Sequence, residues 1–274
     1  MIMWIASYPK SGNTWVRALL SNFLLENDSR KNIFEKMMII PSFPKKKFFK
    51  NIVDENILRK NYMELFKYFI KAQEKINADK KLHILKTHNF YGSVNGNKFT
   101  DKDNTIGSIY IVRDPRSVAV SYAHHSNISY EKSVELMLNQ TRLGLNDLYY
   151  PEARMSWNIH LNSWIANSQS NLIVRYEDLF EKTPSVLKDI LNFINLFLKK
   201  KIEYNKKKIL GCINECSFKK LSSLEKNIGF AEKEKNNFFF RSAKLDEWKS
   251  SLGKDLIKKI EKNFYKEMKK LKYL

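Results

Sequence analysis

A polar loop near the beginning of the sequence carries side chains that could bind an anion. Lys10, Ser11, Gly12, Asn13 and Thr14 follow an apolar run and precede a pattern typical of a helix. A loop between a strand and a helix gathers backbone N–H groups at the helix N-terminus, where negative charge is favoured. Gly12 would let a ligand approach the backbone, Lys10 would add positive charge, and the others would donate hydrogen bonds. An ordinary strand–helix turn, with Asn13 or Thr14 as N-cap, explains the same residues equally well.

The order of residues in this loop differs from that of the common nucleotide-binding loop. In the Walker A pattern, GxxxxGK[ST], the lysine follows the second glycine, whereas Lys10 precedes Gly12. This order argues against an ordinary nucleotide kinase or ATPase.

Short apolar runs alternate with helical patterns along the chain, and these elements must position the loop. We expect strands over 2–7, 83–88, 108–113 and 171–176, and helices over 13–25, 55–76, 115–125, 130–140 and 152–168. Helical patterns continue from 184 to the end, with a break around 227–245, and residues 28–55 and 89–105 are predicted to be irregular. The alternation favours an α/β fold, with a central parallel sheet of about four to five strands flanked by helices. No linker or internal repeat divides the chain, so we predict a single domain over 1–274.

Composition and charge limit the class of protein. Of the 274 residues, 43% are apolar and 13% aromatic, which excludes a globally disordered chain. The 49 Lys and Arg against 29 Asp and Glu give a net charge of +20, which favours an anionic partner. This charge does not distinguish nucleic acid, a membrane surface and a phosphorylated small molecule, and it also suits a lysine-rich soluble protein.

Cysteine and histidine usage indicates neither a disulfide framework nor a metal site. Cys212 and Cys216 are the two cysteines, and the five histidines show no metal-ligand spacing. No apolar run is long enough to span a membrane, and the first residues lack the pattern of a signal peptide. We therefore expect a cytoplasmic protein with reduced thiols and no metal requirement.

Six segments of the sequence resemble the motifs of one enzyme family. Two of them are Arg175 to Asp178, which resembles a YED strand end, and Glu215 to Phe218, which resembles a TSF segment with Cys216 in place of Thr. Tyr8-Pro-Lys-Ser-Gly-Asn-Thr-Trp15 is similar to the 5′-phosphosulfate loop of the cytosolic-type sulfotransferases, YPKSGTTW, and differs only at Asn13. Ile111 to Tyr122 resembles their 3′-phosphate motif, and Lys86-Thr-His88 matches their KTH segment. Arg241 to Lys249 aligns with RKGxxGDWK but departs from it at Ser242, Ala243 and Asp246. The chain is thus identified as a member of this family, whose P-loop-like fold binds 3′-phosphoadenosine 5′-phosphosulfate (PAPS) as sulfuryl donor.

The resemblance implies a role for each matching residue. His88 would be the general base, Lys10 would stabilise the leaving phosphate oxygen, and Lys86 would contact the transferring sulfuryl group. An ordinary histidine pKa of about 6.5 leaves much of such a base neutral at physiological pH. Trp15 and Phe218 could stack on the adenine. The residues implied to bind PAPS are Lys10, Ser11, Gly12, Asn13, Thr14, Trp15, Arg113, Ser121, Tyr176, Ser217, Phe218 and Arg241.

The acceptor is not fixed by these motifs. The resemblance implies transfer to a hydroxyl group, less favourably to an amine, of a small molecule or glycan, and gives nucleic acid no part in the reaction. The alternative hypothesis is a basic protein of the same fold that has lost catalysis and binds nucleic acid or another polyanion. The intact set of Lys10, Lys86 and His88 argues against that alternative, because a binding protein needs no base.

Two further features have more than one interpretation. The helical pattern through Ile257, Ile260, Phe264, Met268 and Leu271 has a lysine-rich opposite face. This helix could lie on an anionic membrane, but packing against the domain is the favoured interpretation. His160 lies between Trp157 and Trp164 on one helical face, and we predict that it only packs in the core.

Overall fold

A four-stranded parallel sheet forms the centre of the structure. In the computed structural model, which describes residues 1–26, 28–54, 62–145, 150–232 and 237–274, this sheet has the order β2-β1-β5-β8. Strands are numbered along the chain, and these four are β1 (Ile2–Ser7), β2 (His83–Thr87), β5 (Thr105–Val112) and β8 (Asn171–Arg175). Each lies within two or three residues of its predicted position, and the predicted parallel α/β architecture is confirmed.

Two small antiparallel ribbons lie outside this sheet. One joins β3 (Ser93–Val94) to β4 (Asn97–Lys98), and the other joins β6 (Leu143–Leu145) to β7 (Pro151–Ala153). The sequence analysis predicted neither ribbon, and it placed the start of a helix at residue 152, where β7 lies. That helix instead begins at Trp157.

Helices cover both faces of the parallel sheet. They are α1 (Asn13–Leu24), α2 (Ile33–Lys36), α3 (Lys46–Phe49), α4 (Phe69–Asn77), α5 (Pro115–Ser126), α6 (Tyr130–Leu138), α7 (Trp157–Asn167), α8 (Tyr176–Glu181), α9 (Thr183–Asn195), α10 (Lys206–Glu215), α11 (Phe218–Ile228), α12 (Trp248–Ser251) and α13 (Lys254–Lys270). Residues Met37–Ile39 and Tyr62–Tyr68 form 3₁₀ turns. The single helix predicted over 55–76 is thus replaced by a 3₁₀ turn and α4, and its first part, 55–61, lies outside the described residues.

The buried side chains of β1 alternate between two hydrophobic cores. Ile2 and Trp4 belong to the core on one face of the sheet, and Met3 and Ile5 belong to the core on the other. Every residue of β1 is buried, as expected of a central strand covered on both faces.

The C-terminal helix α13 packs against the domain, as the favoured interpretation predicted. Its apolar side chains Ile260, Phe264 and Met268 are buried in the same core as Trp4. Across the described ranges, no helix is long and apolar enough to cross a membrane.

The residues after α13 bind to the helices α5 and α8, which follow two strands of the sheet. The Tyr273 hydroxyl donates to Glu177 Oε2 at 2.8 Å, and the Tyr273 carbonyl accepts from Arg116 Nη2 at 2.8 Å. Glu177 Oε1 in turn accepts from the backbone N–H of Asp114 at 3.0 Å. Since Asp114 is the N-cap of α5, these bonds hold the strand–helix junction that follows β5.

Candidate active site

A cavity of about 350 Å³ lies at the carboxyl end of the parallel sheet. Four of its lining residues, Lys10, His88, Arg113 and Tyr176, follow closely on the ends of β1, β2, β5 and β8. Open α/β sheets bind ligands at this edge, because the loops after parallel strands converge there. The remaining described lining residues are Pro9, Gly12, Asn13, Thr14, Trp15, Ser121, Tyr122, His125, Ser126, Arg154, Phe180, Thr183, Ile213, Ser217, Phe218, Leu221, Glu232, Phe239, Phe240, Ser242 and Ala243.

The loop after β1 approaches the ring of Tyr176 too closely for any residue but glycine at position 12. Gly12 has φ of 102°, and a Cβ atom there would lie 2.4 Å from Cδ2 of Tyr176. Lys10 also adopts the left-handed region, with φ of 67°. The two conformations fold the backbone of the loop over the start of α1, as an anion-binding loop requires.

Three buried polar atoms around this loop have no hydrogen-bond partner among the described residues. They are Ser11 Oγ, Asn13 Oδ1 and Arg113 Nε, and two of them, Ser11 Oγ and Arg113 Nε, are donors. A buried donor without a partner costs free energy. An anion bound at this loop would supply the missing acceptors, so the residues present fit a phosphate-bearing ligand.

Neither Asn13 nor Thr14 caps α1, which corrects the ordinary-turn interpretation. Gly12 is the N-cap, and it makes no side-chain bond. Asn13 Nδ2 donates instead to the carbonyl of Ile5 at 3.1 Å, so this side chain fastens the loop to β1. The Thr14 hydroxyl donates to Glu232 at 3.2 Å.

His88 faces the cavity with one ring nitrogen engaged. Its Nδ1 lies 2.8 Å from the carbonyl oxygen of Ser7, at the end of β1. A carbonyl only accepts hydrogen bonds, so Nδ1 carries the proton and Nε2 keeps its lone pair. Burial and the charge of Lys86 hold the pKa of His88 well below 6.5. The ring is therefore a neutral proton acceptor at physiological pH.

The two lysines assigned to the chemistry line different cavities. Lys10 lines the main cavity, with Nζ 4.0 Å from the centre of the Phe239 ring. Lys86 is buried in β2 and lines an adjoining cavity of about 350 Å³. Glu232 lines both cavities, so they are neighbours, but Lys86 does not line the cavity that holds Lys10 and His88.

A further cavity, of about 250 Å³, unites the residues expected to hold the 3′-phosphate. Arg113, Ser121 and Arg241 all line it, although Arg241 comes from a distant part of the chain. Arg113 is held in place by its Nη1 bond to the Lys10 carbonyl at 3.3 Å and by the Tyr176 ring, 4.4 Å from its guanidinium carbon. Arg241 forms an ion pair with Glu247 at 2.6 Å.

Aromatic rings line the opposite end of the main cavity. Trp15 and Phe218 both face it, as the adenine hypothesis requires, and Trp15 Nε1 donates to the Cys216 carbonyl at 3.0 Å. Tyr176 packs edge-on against Trp15, with ring centres 6.1 Å apart. Ser217, the N-cap of α11, lies beside Phe218 on the same wall.

Two charged residues in the cavity were not predicted from the sequence. Glu232 binds Arg17 Nη1 at 2.5 Å as well as the Thr14 hydroxyl. Burial raises the pKa of Glu232, but the charges of Arg17 and Lys86 and the hydrogen bonds from Arg17 and Thr14 together lower it to about 2. Arg154, on the His88 side, forms an ion pair with Glu152 at 2.9 Å. Neither residue belongs to a recognised motif, and Glu232 occurs in a stretch of lysine and glutamate typical of a solvated surface.

The described residues hold no cluster of three or more His, Cys, Asp or Glu side chains that could bind a metal ion.

Together, the parallel sheet, the left-handed loop and the unpartnered donors define an α/β protein that binds an anion at a strand–loop–helix junction.

Comparison with known proteins agrees with this geometry. The chain is 26% identical over 273 residues to flavonol 3-sulfotransferase of Flaveria bidentis, covering 95% of this chain and 79% of that protein. A crystal structure of retinol dehydratase in complex with androsterone and the inactive cofactor PAP has the same fold, with a TM-score of 0.63 at 17% identity, covering 98% of this chain and 80% of that one. Mouse sulfotransferase SULT7A1, solved with PAP, gives a TM-score of 0.62 at 21% identity and covers 97% and 84%.

The sulfotransferase domain model matches residues 2–272. The chain therefore belongs to the sulfotransferase family, a class of enzymes that use PAPS as the sulfuryl donor.

Proposed function

We propose that this enzyme transfers the sulfuryl group of PAPS to a hydroxyl group, with His88 as the general base. The observation that carries the proposal is the bond from His88 Nδ1 to the Ser7 carbonyl, which leaves Nε2 free in the cavity beside the anion loop. A hydroxyl is favoured over an amine as acceptor, because a neutral histidine suits the removal of one proton from an alcohol or phenol.

The chain's own groups would each serve one part of the reaction. His88 Nε2 takes the acceptor proton as the acceptor oxygen bonds to sulfur and the bond from sulfur to the phosphate oxygen breaks. Lys10 neutralises the charge that develops on the phosphate oxygen, and Lys86 approaches the sulfuryl side from the adjoining cavity. Fixed cations of this kind stabilise a developing negative charge without reorganising.

The donor nucleotide would extend from Trp15 in the main cavity into the further cavity that Arg241 lines. Its 5′-phosphosulfate would meet Ser11, Gly12, Asn13 and Thr14, and its 3′-phosphate would meet Arg113, Ser121 and Arg241. The unpartnered donors Ser11 Oγ and Arg113 Nε support this placement. Trp15 and Phe218 would enclose the adenine, beside Tyr176 and Ser217.

For the acceptor we propose a small molecule or glycan that enters on the His88 side. Phe239, Phe240 and Tyr122 give the cavity aromatic walls, and Arg154, whose charge acts on His88, gives it a positive charge. We place the reaction in the cytoplasm, because Cys212 and Cys216 are both free thiols.

A binding and transfer experiment tests this function. The product nucleotide adenosine 3′,5′-bisphosphate (PAP) at 100 times its Kd should stabilise the protein by roughly 2.7 kcal/mol, seen as a thermal shift. Sulfate transfer from radiolabelled PAPS to a panel of phenols, lipid alcohols and oligosaccharides then identifies the acceptor. A thermal shift with Mg-ATP but none with PAP would contradict the donor. Salt-sensitive binding to nonspecific DNA, with no turnover on any acceptor, would favour the polyanion-binding alternative.

A further inference from the structure

His160 lies beneath His88 and binds its backbone. This residue of α7 is fully buried, with 0% of its surface exposed, and its Nε2 lies 3.1 Å from the His88 carbonyl oxygen. Its Nδ1 lies 2.8 Å from the hydroxyl of Tyr110, in β5. The prediction that His160 only packs in the core is therefore incomplete.

The partners of His160 fix where its proton lies. The His88 carbonyl only accepts, so His160 Nε2 carries the proton and donates it. Nδ1 is then the acceptor for the Tyr110 hydroxyl. Burial lowers the pKa of His160 to about 3, so the ring stays neutral and adds no positive charge beside His88.

His88 is thus held at two separate atoms. The Ser7 carbonyl, from β1, binds the His88 ring at Nδ1, and His160, from α7, binds the His88 backbone oxygen. His88 follows the last residue of β2, so the sheet no longer fixes its backbone by pairing. Taking His88 as the base of the proposed function, we propose that His160 is a positioning residue, whose bond to the His88 backbone aims His88 Nε2 at the acceptor hydroxyl.

Substitutions at position 160 can distinguish the effect of this hydrogen bond from that of simple packing. His160→Phe keeps a ring of similar size against Tyr8, whose ring centre lies 5.7 Å away, but it removes the donor. His160→Gln can return an N–H group close to the position of Nε2. Tyr110→Phe leaves His160 in place and removes the hydroxyl that fixes its proton. His83→Gln is a matched control, since His83 binds Asp79 at the opposite end of β2.

The first measurement needs no acceptor. Long-range ¹H–¹⁵N spectra of the histidine rings report which nitrogen of His88 is protonated, with His88→Ala providing the assignment. We expect a single Nδ1–H form in the wild type, His83→Gln and His160→Gln. In His160→Phe, and to a smaller extent in Tyr110→Phe, we expect a mixture of the two ring forms, because the ring no longer meets Ser7 in one orientation.

The second measurement uses acceptors that differ in their need for a base. Phenol must lose its proton during the reaction, whereas the more acidic 4-nitrophenol is largely ionised at about pH 8. A misaligned base should lower kcat for phenol by roughly 10–100-fold in His160→Phe. The kcat for 4-nitrophenol should fall less than about threefold, the KM for PAPS should hardly change, and His160→Gln should recover most of the phenol rate.

Either measurement can overturn the inference. An unchanged His88 ring form in a folded His160→Phe protein would do so, as would an equal loss of rate on both phenols without recovery in His160→Gln. If His160→Phe does not fold, Tyr110→Phe and His160→Gln give the ring-form comparison alone. Full phenol turnover in His88→Ala would instead refute the proposed base, whatever the spectra show for His160.

Discussion

His88 lines the cavity from the end of β2. Lys10 lies in the loop after β1, and Arg113 comes directly after β5. We expect His88→Ala to lower kcat by roughly 10²–10⁴-fold, because it removes the proton acceptor. Its affinity for PAP should stay near the wild-type value, since in the proposed mechanism the ring contacts the acceptor and not the nucleotide. Steady-state rates together with PAP titration by calorimetry check both expectations.

Lys10→Ala and Arg113→Ala are the matched comparisons for His88→Ala. Lys10→Ala should weaken PAP binding and also slow the reaction. Arg113→Ala should mainly weaken binding, by roughly 1.5–3 kcal/mol for a charge-assisted phosphate contact. Near-normal turnover in His88→Ala would move the search for the base to His124 and His125.

Glu232 places a negative charge beside Thr14, in the loop proposed to bind the donor. The Thr14 hydroxyl has one proton, and it donates this proton to Glu232 at 3.2 Å. A phosphate oxygen that uses the same proton must displace the carboxylate, and the two negative charges also repel. We therefore expect Glu232→Gln to tighten PAP binding by roughly three- to tenfold, or up to about 1.4 kcal/mol. Calorimetric titration at low salt measures this change.

Glu135→Gln is the control for that substitution, because it removes one negative charge from an exposed ion pair with Lys132. Its PAP affinity should equal that of the wild type. Weaker PAP binding in Glu232→Gln would show that the carboxylate supports the donor site through Arg17 rather than competing with the nucleotide.

The residues within motifs could be predicted from the sequence. The burial of Glu232 and the hydrogen bonds of His160 could not. Lys10, His88 and Arg113 were predicted because they lie in segments that resemble the family's motifs, and all three line the cavity. Glu232 lies 218 residues from Thr14, in a stretch rich in lysine and glutamate, so its burial depends on tertiary packing alone. His160 was correctly expected to be buried, but its partners Tyr110 and His88 come from two other elements.

Among the elements, strands with a strong apolar pattern in the sequence were predicted, and strands with a weak pattern were missed. β1 and the last four residues of β5 are almost entirely apolar, so these strands were predicted to within a few residues. The ribbon of β6 and β7 was missed because its strands have three residues each, and one of them begins with Pro151. Arg241 was predicted from its motif, but the sequence does not show that it lines the same cavity as Arg113. That proximity comes from the fold.

The junction after β5 depends on the end of the chain, which gives a test of this element. Tyr273→Phe removes the hydroxyl that donates to Glu177, and Glu177 is then a buried carboxylate with one partner fewer. We expect a loss of roughly 1–3 kcal/mol in the free energy of unfolding. PAP affinity should also fall by a few-fold, since Glu177 holds the backbone of Asp114 next to Arg113. Urea denaturation and PAP titration measure the two effects.

Tyr265→Phe is the control on the neighbouring helix, because the Tyr265 side chain is exposed. It should change neither quantity. If Tyr273→Phe lost stability but kept full PAP affinity, the bond to Glu177 would stabilise the fold without organising the 3′-phosphate residues.

Stability of the whole protein should depend on pH through its buried histidines. The pKa of His160 is about 3 in the folded state and about 6.5 when unfolded. Below pH 6.5 the unfolded chain binds a proton at His160 that the folded protein does not bind. The free energy of unfolding is therefore unaffected by this group above pH 6.5 and decreases as the pH falls towards 3. The loss from this one group should approach 1.4 kcal/mol per pH unit.

Urea denaturation of the wild type and His160→Gln between about pH 7.5 and 5 measures this contribution. At about pH 5 the wild type should have lost up to 2 kcal/mol more than the variant, because glutamine does not titrate. Parallel stability curves for the two proteins would show that His160 gains a proton in the folded state. His125, whose pKa burial lowers to about 3, titrates in both proteins and so cancels in the comparison.

The central position of β1 has a consequence for synthesis. This strand pairs with β2 and β5, which lie about 80 and 100 residues later in the chain. At roughly 5–20 residues per second, the ribosome takes on the order of 5–20 s to translate the second partner after β1 has been made. Ile2–Ser7 contains no charge and no proline, a composition that favours aggregation when such a segment is exposed. The strand that anchors the finished sheet is therefore the segment that a chaperone would have to shield on the nascent chain.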